Sequence, residues 1–409
     1  MTIQPALNFD EFARDTPALW RARAAREANV APDALTTVTS EGLRIPPIAF
    51  VEDLAALPDL HTTPGVAPYL RGNGTPWQHW PQPGGNTPAA WNAAARLAQG
   101  YEPAALLLDL DATGITSATD LKTARAGIST PLIIECSVPA HHAWLLANSG
   151  WRGELWVDAE SIIAAQPTAA HHTLQLRADA SAHDAAGAGP VLGLALALSA
   201  AAEQTAMLAA HGWQIAQIAP LLTLRLAVGT DLLVEIARLR AARVLWARVA
   251  AAWGGDAAAQ RLRIHAHTSG ASGDSSATEA VRATLGALAA ILGNCDALTV
   301  MPYDGASGAP TAVAQRLAFA TPLLLRHETR LGELADAAGG AWAIETLTDQ
   351  LARAVWSAFQ RLMADGGSSG RLATTLIATA SAQQAAAIVA GELTLVGVNR
   401  YRATSEEQP

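Results

Sequence analysis

Short apolar runs alternate with longer mixed segments along most of the chain. Runs rich in Leu, Ile or Val predict eight buried strands: Ala105–Leu110, Leu132–Cys136, Glu154–Asp158, Leu174–Asp179, Leu222–Val228, Leu262–His267, Ala297–Met301 and Leu323–His327. Most segments between them are long enough for a helix. This alternation predicts parallel strands joined by right-handed crossovers. Eight such strands favour an α/β fold, a closed (β/α)8 TIM barrel, over an open doubly wound sheet.

The best-defined helix follows the fifth predicted strand. Apolar side chains recur at spacings of three or four across Leu232–Val249, which predicts one apolar stripe along a helix. Thr230 can cap the start of this helix. Three arginines, Arg238, Arg240 and Arg248, lie largely off the stripe.

The predicted barrel is preceded by an N-terminal arm, residues 1–60. The arm contains a predicted short helix, Leu7–Ala25, and an extended segment, Ser40–Leu54, with a break at two consecutive prolines. The barrel domain is predicted to cover residues 61–402. The remaining residues, 403–409, are predicted to form a disordered tail.

One stretch inside the predicted barrel domain lacks periodicity. Residues Pro64–Pro88 are rich in Pro, Gly and Trp and therefore predict a loop. Trp77, Trp80 and Trp91 lie in or beside this loop, where full exposure of a tryptophan would be unfavourable. A buried interface with another subunit would explain them.

Composition and charge narrow the range of functions. A net charge of -9 argues against nucleic-acid binding, and charged residues make up only 15% of the chain, which suggests a surface partly covered by a partner. Cys136 and Cys295 lie in apolar runs and predict buried thiols rather than a disulfide framework. The N-terminus does not resemble a signal peptide, and the longest apolar segment, Val191–Ala202, is too short to span a bilayer. We therefore expect a soluble cytoplasmic protein with no membrane contact.

Several segments carry a family resemblance, and they occur in the expected order. They are SEGLRIPP (Ser40–Pro47), PGVAPYLRG (Pro64–Gly72), EIARLRAARVLWARV (Glu235–Val249), RIHAHTSGAS (Arg263–Ser272), APTAVAQRLAFAT (Ala309–Thr321), DAAGGAWAIETLT (Asp336–Thr348) and GELTLVGVNRYR (Gly391–Arg402). Together they resemble the adenosylcobalamin-dependent acyl-CoA mutases, methylmalonyl-CoA mutase above all. In that family the last segment closes the substrate barrel before a linker to a cobalamin-binding domain. Here it predicts a closing strand, and seven residues follow it.

The resemblance implies a substrate path and candidate contacts along it. In these mutases the acyl-CoA threads down the barrel axis, so small side chains must line that axis. Tyr69 and Arg71 are candidates to contact the CoA or a partner subunit. His265 and His267 share one side of the sixth predicted strand, because side chains alternate with period two. By the family resemblance, the two histidines are relics of groups that hydrogen-bond the thioester of the substrate. Alternatively, they form half of a zinc or iron site, or they are two polar side chains whose hydrogen bonds are satisfied within the protein.

Other motifs of the family are altered in this chain. Catalytic chains carry R-P-W-T where this chain has Thr75-Pro76-Trp77-Gln78, so Thr75 takes the position of an arginine. Around the family's catalytic histidine, alignment on Gly-Ala-Gly places His183 at a tyrosine position and Asp184 at the histidine position. His183 is thus a weak catalytic candidate, with ordinary loop polarity as the alternative. The D-x-H-x-x-G motif that supplies the cobalt ligand is absent from the sequence.

A glycine pattern precedes a predicted helix. Gly187, Gly189 and Gly193 follow a strand as in a dinucleotide-binding loop, but the third glycine comes one position late. We interpret these glycines as sites of close packing between strand and helix. A phosphate at the start of that helix is physically compatible with the pattern.

The family motifs that are altered or absent in this chain are those that carry catalysis or bind the cofactor. The motifs that match lie in segments expected to pack the fold. This distribution resembles the small, non-catalytic subunit of a heterodimeric methylmalonyl-CoA mutase, which interconverts methylmalonyl-CoA and succinyl-CoA. Adenosylcobalamin would then be bound by the partner, a catalytic large subunit carrying a cobalamin-binding domain. One alternative is a catalytic substrate barrel that recruits a separate cobalamin-binding subunit. Another is a stand-alone metal-dependent TIM-barrel hydrolase built on His265 and His267.

Overall fold

The structure is a computed structural model that describes residues 16–147, 151–165, 172–270, 277–305 and 310–402. Its α-helices are α1 (Pro17–Ala28), α2 (Pro88–Ala98), α3 (Leu110–Thr113), α4 (Ala118–Ala124), α5 (Pro139–Ala147), α6 (Ala159–Ala165), α7 (Ser181–Ala185), α8 (Gly189–Ala210), α9 (Ile215–Ile218), α10 (Leu232–Ala252), α11 (Ala277–Leu292), α12 (Ala312–Leu323), α13 (Trp342–Ala364) and α14 (Arg371–Ala390). Short 3-10 turns cover Pro32–Leu35, Val51–Leu54, Gln99–Tyr101, Ala219–Leu221 and Gly367–Ser369.

Eight parallel strands form one curled sheet. They are β3 (Gln78–His79), β4 (Leu106–Asp109), β5 (Leu132–Glu135), β6 (Gly153–Val157), β7 (His172–Asp179), β8 (Leu222–Val228), β9 (Arg263–Thr268) and β10 (Ala297–Thr299). Strands β4 to β10 pair in chain order, and β10 also pairs with β3.

Backbone hydrogen bonds link the two ends of this sheet. The amide of Ala104 donates to His79 O at 2.9 Å, and the amide of Leu107 donates to Pro81 O at 3.0 Å. The segment around β3 therefore lies between β10 and β4. The predicted α/β fold with a TIM-barrel-like arrangement is confirmed.

Seven of the predicted strands are present, and the eighth prediction is wrong. The run Leu323–His327 forms the end of α12 and a π-helical turn, Leu324–Glu328, just after Pro322. The missing strand is β3, which lies inside the stretch predicted to be a loop. It was missed because only two residues pair with β10, too few to give an apolar run.

The predicted closing strand Gly391–Arg402 is also wrong. This segment consists of turns, with one isolated bridge between Val396 and Arg400. Asn399 fixes the turn, because its side-chain amide donates to Ile388 O at 2.8 Å and its carbonyl accepts from Leu395 N at 2.7 Å. The segment therefore ends α14 instead of extending the sheet.

Helix α10 is present where predicted, but it is not a one-sided amphipathic helix. It packs against α8, α11 and α13, so it is buried on nearly all sides. Arg238 and Arg240 are buried rather than solvated, whereas Arg248 is exposed. The N-cap is Asp231, not Thr230, since its carboxylate accepts from Val234 N at 3.4 Å.

The N-terminal arm folds back on its own barrel. A small antiparallel pair, β1 (Thr37–Val38) with β2 (Arg44–Ile45), replaces part of the predicted extended segment. The backbone of Arg44 exchanges two hydrogen bonds with the side chain of Gln350 on α13, at 3.1 and 3.2 Å. The described helix of the arm is Pro17–Ala28, so the earlier part of the predicted helix lies outside the described residues.

Among the residues that the structure describes, two helices are long and apolar enough to cross a membrane by length and composition alone. The first, α8, contains the segment Val191–Ala202 and has 22 residues, so the expectation that this segment is too short is wrong. Its apolar window is 67% buried, which is the behaviour of a core helix. The window of the second, α14, is 6% buried and therefore exposes a largely apolar surface.

Candidate functional site

Two tryptophans occupy the centre of the barrel lumen. Trp80, just after β3, and Trp156, on β6, are 3% and 2% exposed, and their ring centroids lie 6.1 Å apart in an edge-to-face contact. Small and branched apolar side chains complete this cluster: Ala105, Leu107, Ile133 and Ala297. The cluster is separate from the main core. Large side chains thus stand on the axis where a threading acyl-CoA would need small ones.

An ion pair crosses the lumen toward the N-terminal ends of the strands. Arg263 on β9 donates from its two terminal nitrogens to Glu154 Oε1 and Oε2 at 2.6 and 2.7 Å, and from Nε to Thr223 Oγ1 at 2.7 Å. The guanidinium lies 5.3 Å from the ring centroid of Trp80. A recess of about 460 Å³ at this end of the barrel has Trp80 and Arg263 in its wall. This bidentate pair and the ring close the recess on its inner side.

A second ionic group occupies the C-terminal mouth of the barrel. Glu135 on β5 accepts from Arg225 on β8 at 2.8 and 2.9 Å and from Arg177 on β7. Asp179 lies 3.6 Å from Arg177 and 3.8 Å from Arg225. Burial opposes ionisation of Asp179, but Arg225 and Arg177 outweigh it and lower its pKa. Two carboxylates therefore face two guanidinium groups, and their charges balance within the mouth.

His265 and His267 both point into the lumen, as their spacing predicts. His265 Nε2 lies 2.8 Å from Thr299 Oγ1, and the Thr299 hydroxyl donates onward to Trp80 O. Because that hydroxyl proton is committed, His265 donates from Nε2 in this contact. Burial, with Arg225 nearby, lowers the pKa of His265 well below its ordinary value. It lowers the pKa of His267 to about 3, so both rings are neutral near pH 7.

His267, Ser181 and Asp179 resemble a catalytic triad in composition but not in connection. His267 Nε2 lies 2.6 Å from Ser181 Oγ, while the same hydroxyl donates to Asp179 Oδ1. In a triad the carboxylate orients the histidine, and the histidine accepts the serine proton. Here the carboxylate contacts the serine hydroxyl and not the histidine, whose Nδ1 lies 3.3 Å from the backbone oxygen of Thr268. No carboxylate orients His267, so the three side chains lack the connection of a triad.

The two lumen histidines do not share a metal-binding geometry. Each Nε2 faces a different hydroxyl, and the ring centroids lie 6.4 Å apart. Among the described residues, no cysteine, carboxylate or further histidine joins them to form three ligand atoms within 4.8 Å of one another. The geometry supports the interpretation as two buried polar side chains held by hydroxyl groups, with His265 Nδ1 left without a hydrogen-bond partner among the described residues.

Tyr69 and Arg71 bond within the chain, on the outer layer of helices. The Tyr69 hydroxyl donates to Ala257 O at 2.7 Å, just beyond α10. Arg71 donates to Asp336 Oδ2 at 2.7 Å and to Leu60 O at 2.6 Å. Their role in substrate binding stays a prediction, and the structure gives both side chains a place in the scaffold.

Arg71 belongs to a buried ionic cluster. Arg240 on α10 donates to Asp336 and, at 2.9 Å, to Glu345 Oε1 at the start of α13. Arg71 approaches the same Glu345 oxygen at 3.3 Å. Two arginines thus neutralise two carboxylates in a site with almost no exposure. The cluster joins three segments on which the family resemblance rests, and it fixes the loop before β3 against α10 and α13.

His183 and Asp184 do not act as a pair. Both lie on the short helix α7, where Asp184 accepts two hydrogen bonds from Arg238 Nη2 at 2.7 and 2.8 Å. A Cβ at Gly193 would lie 2.1 Å from Asp184 Oδ1, so glycine is required for this pair to sit against α8. Asp184 is therefore the buried ion-pair partner of Arg238 and not a solvated polar residue of a loop. His183 is half-buried beside it, and its catalytic role stays a prediction.

The start of α8 already holds an anion from the chain itself. Glu41, in the arm, accepts hydrogen bonds from Val191 N and Leu192 N at 3.1 Å. Burial raises the pKa of Glu41 against the effect of these amides. A carboxylate thus takes the position that a phosphate would occupy at this helix N-terminus.

The sequence analysis did not place four residues in the lumen: Trp80, which it assigned to a subunit interface, and Trp156, Glu135 and Arg225. A signal for them was present in the strands. Gln175, Arg177 and Asp179 alternate with apolar residues along β7, although strands buried on both faces normally form continuous apolar runs. Polar residues at every second position therefore mark a polar barrel interior.

Comparison with known proteins identifies the scaffold. A family profile described as methylmalonyl-CoA mutase matches residues 164–409. The chain belongs to the methylmalonyl-CoA mutase family. The matched region includes both lumen histidines, α10 and the start of α13, and therefore most of the buried ionic cluster.

Individual members of the methylmalonyl-CoA mutase family extend the match to the first strands. The methylmalonyl-CoA mutase small subunit of Streptomyces virginiae is 31% identical over 394 residues, 85% of this chain and 62% of the relative. The large subunit from the same organism is 27% identical over 462 residues, 95% of this chain and 62% of the relative. Methylmalonyl-CoA mutase of Rhizobium meliloti (strain 1021) is 27% identical over 461 residues, which cover 95% of this chain and 64% of the relative. The chain spans a little under two thirds of the length of these relatives.

Proposed function

We propose that this chain is the small, non-catalytic subunit of an adenosylcobalamin-dependent methylmalonyl-CoA mutase. A catalytic large subunit would carry the cobalamin-binding domain and the residues that hold the substrate. The complex would interconvert methylmalonyl-CoA and succinyl-CoA. This chain would stabilise the large subunit through an extensive apolar interface.

The filled lumen is the observation that carries this proposal. An acyl-CoA on the barrel axis would have to displace Trp80 and Trp156 and break the bidentate pair between Arg263 and Glu154. Burying two tryptophans elsewhere and separating a paired charge would each cost several kcal/mol. The lumen is therefore packed as a core and not as a substrate channel.

The described residues do not fit a corrin cofactor either. The C-terminal mouth, which would face such a cofactor, contains the balanced ionic group of Glu135, Arg177, Asp179 and Arg225. Its histidines are committed to Thr299 and Ser181. We therefore derive no radical step through this barrel and assign the cofactor to the partner. The greater identity to a small subunit than to a large subunit of one organism supports the same assignment.

Affinity purification of the tagged chain from its native host tests the proposal. We expect a longer mutase chain to co-purify in equal amount with bound corrinoid, and the complex to convert methylmalonyl-CoA. The isolated chain, supplied with adenosylcobalamin and methylmalonyl-CoA, should form no succinyl-CoA and bind no CoA by calorimetry. Turnover by the isolated chain would contradict the proposal.

A substitution in the complex separates the subunit role from a catalytic one. His267→Gln keeps a hydrogen-bonding side chain beside Ser181 and changes the lumen histidine that contacts this serine. Turnover by the complex should be unchanged if this barrel does not catalyse. Loss of turnover with the complex intact by gel filtration would instead favour a catalytic barrel. Turnover after mixing the chain with a cobalamin-binding subunit alone would favour recruitment of a separate cofactor subunit.

A further inference from the structure

Three different ligand-type side chains converge at the C-terminal ends of β4 and β5, outside the lumen network. Asp111 lies on α3, directly after β4, and Cys136 directly follows β5. His141 lies in the first turn of α5. Their ligand atoms all lie within 4.8 Å of one another, and no other such group of three exists among the described residues. This is the end of the barrel where such folds carry their sites.

The distances within this group are those of a metal site with its ion removed. Cys136 Sγ lies 3.4 Å from His141 Nδ1 and 3.9 Å from Asp111 Oδ1. A tetrahedral zinc ion with bonds of about 2.0–2.3 Å sets its ligand atoms about 3.3–3.7 Å apart. The two distances from Cys136 Sγ are therefore within a few tenths of an ångström of those around such an ion, and the Asp111 and His141 ligand atoms lie within 4.8 Å of each other.

Neighbouring backbone amides orient two of these side chains, Asp111 and Cys136. Asp111 Oδ2 accepts from Ser137 N at 2.8 Å, which leaves Oδ1 directed at the sulfur. The amide of Val138 donates to Cys136 Sγ at 3.3 Å, a contact that stabilises negative charge on sulfur. Such outer partners orient ligands and tune metal affinity.

The adjacent histidine fixes the loop that carries the cysteine. His142 Nδ1 lies 3.0 Å from Ser161 Oγ on α6, and its Nε2 lies 3.4 Å from the backbone oxygen of Cys136. The two histidines thus divide their roles, because His142 anchors the loop while His141 presents a ring nitrogen to the sulfur.

We propose that Asp111, Cys136 and His141 bind a divalent transition metal of the zinc type. One thiolate, one imidazole and one carboxylate form a borderline ligand set that suits Zn²⁺, whereas Mg²⁺ and Ca²⁺ take oxygen ligands. Without the ion, the Cys136 thiol donates toward Asp111 Oδ1, and a bound ion would replace that proton between the sulfur and the carboxylate. The described residues supply three ligands, and a water molecule fills the fourth position. The site is independent of the proposed subunit function and of the lumen histidines.

Cobalt titration of the chelator-treated chain tests this site. Co²⁺ should bind in one equivalent with a thiolate-to-metal charge-transfer band and the intense visible bands of tetrahedral cobalt, and Zn²⁺ should abolish both. Cys136→Ser should remove the charge-transfer band. His141→Asn and Asp111→Asn should weaken Co²⁺ binding by at least the roughly 10–100-fold that loss of an outer partner causes.

Matched controls come from the same chain. Cys295→Ala removes the other cysteine, which is buried beside β10, and His61→Asn removes an exposed histidine. Both variants should keep the spectrum and affinity of the unmodified chain. Cobalt binding that is unaffected by Cys136→Ser, or binding without a charge-transfer band, would overturn the proposal.

A measurement on the unsubstituted chain covers the case in which a variant fails to fold. Zn²⁺ should slow alkylation of the Cys136 thiol, located by peptide mass mapping, and an added chelator should restore the rate. The mapped rate for Cys295 is the internal reference. Equal Cys136 alkylation with and without Zn²⁺ would overturn the site.

Discussion

Trp156 is the residue that best tests how the lumen is packed. Its ring contacts Trp80 and His265, and its Nε1 donates to Glu154 Oε2 at 3.0 Å. Trp156→Ala should lower the free energy of unfolding by about 3–5 kcal/mol, because it empties a closed space. Trp253→Ala, at the 43% exposed end of α10, is the matched control and should cost well under 1.5 kcal/mol. Urea unfolding of the purified chain measures both. Equal effects would show that the lumen is open space.

Acid should weaken the fold through His267. This ring faces Arg225, Asp179 and His265, and its folded pKa of about 3 lies below the ordinary value of 6.5. As pH falls below 6.5, the unfolded chain gains a proton at His267 that the folded chain does not. The contribution of His267 to the free energy of unfolding is therefore complete above pH 6.5. It decreases from there toward pH 3, by up to about 1.4 kcal/mol per pH unit.

His267→Gln should remove that contribution while keeping a hydrogen-bonding side chain beside Ser181. The pH dependence of the unfolding free energy, measured from about pH 7 to pH 5, should be shallower in this variant by about 1 kcal/mol per pH unit. His61→Gln changes an exposed histidine and serves as the control. Identical slopes in the variant and the unsubstituted chain would contradict a neutral buried His267.

Single residues also show where sequence reasoning reaches its limit. The H-x-H spacing placed both histidines correctly, because alternation along a strand is a local property. The hydrogen-bond partners of Tyr69 and Arg71 could not be predicted from local sequence, because Ala257 and Asp336 lie 188 and 265 positions away in the chain. An arginine in a proline-rich loop gives no sign of which distant carboxylate it meets.

Helix α10 shows the same limit at the scale of an element. Its position and length follow from periodicity, but its burial on nearly all sides depends on three neighbouring helices. Arginines off an apolar stripe normally face water, as Arg248 does. Three other arginines of α10 instead meet carboxylates from other elements: Arg238 meets Asp184, Arg240 meets Asp336 and Glu345, and Arg243 meets Asp296. The strand runs were predictable for most of the barrel because a buried strand needs apolar residues. Strand β3 was not predictable, because only two of its residues pair with β10 and they form no apolar run of their own.

Arg240 should contribute strongly to stability through the buried ionic cluster, because it contacts both carboxylates. Arg240→Met should lower the free energy of unfolding by about 3–5 kcal/mol, because Asp336 and Glu345 stay buried with one arginine between them. Arg248→Met on the exposed face of α10 loses only a ring contact with Trp356 and should cost about 1 kcal/mol. Denaturant unfolding of both variants, of Glu345→Gln and of the double variant Arg240→Met with Glu345→Gln measures the coupling. Strictly additive effects would show that Arg240 and Glu345 do not interact.

The whole molecule carries an apolar surface that its own fold leaves uncovered. Helix α14 has an apolar window that is only 6% buried, and Val389 near its end is 88% exposed. Apolar patches of this kind mark surfaces that meet another protein or a membrane. The proposed subunit role assigns this helix to the interface with the large subunit.

Substitution of a charge on this helix tests the assignment at the scale of the assembly. Val389→Glu should abolish co-purification of the large subunit, because an unpaired carboxylate would be buried at the interface. It should leave the unfolding free energy of the isolated chain within about 0.5 kcal/mol, since the position is exposed. Val281→Glu on α11, at a position that is 60% exposed, is the matched control and should keep the partner. Retention of the partner by Val389→Glu would place the interface elsewhere, and flotation of the isolated chain with lipid vesicles would instead assign α14 to a membrane surface.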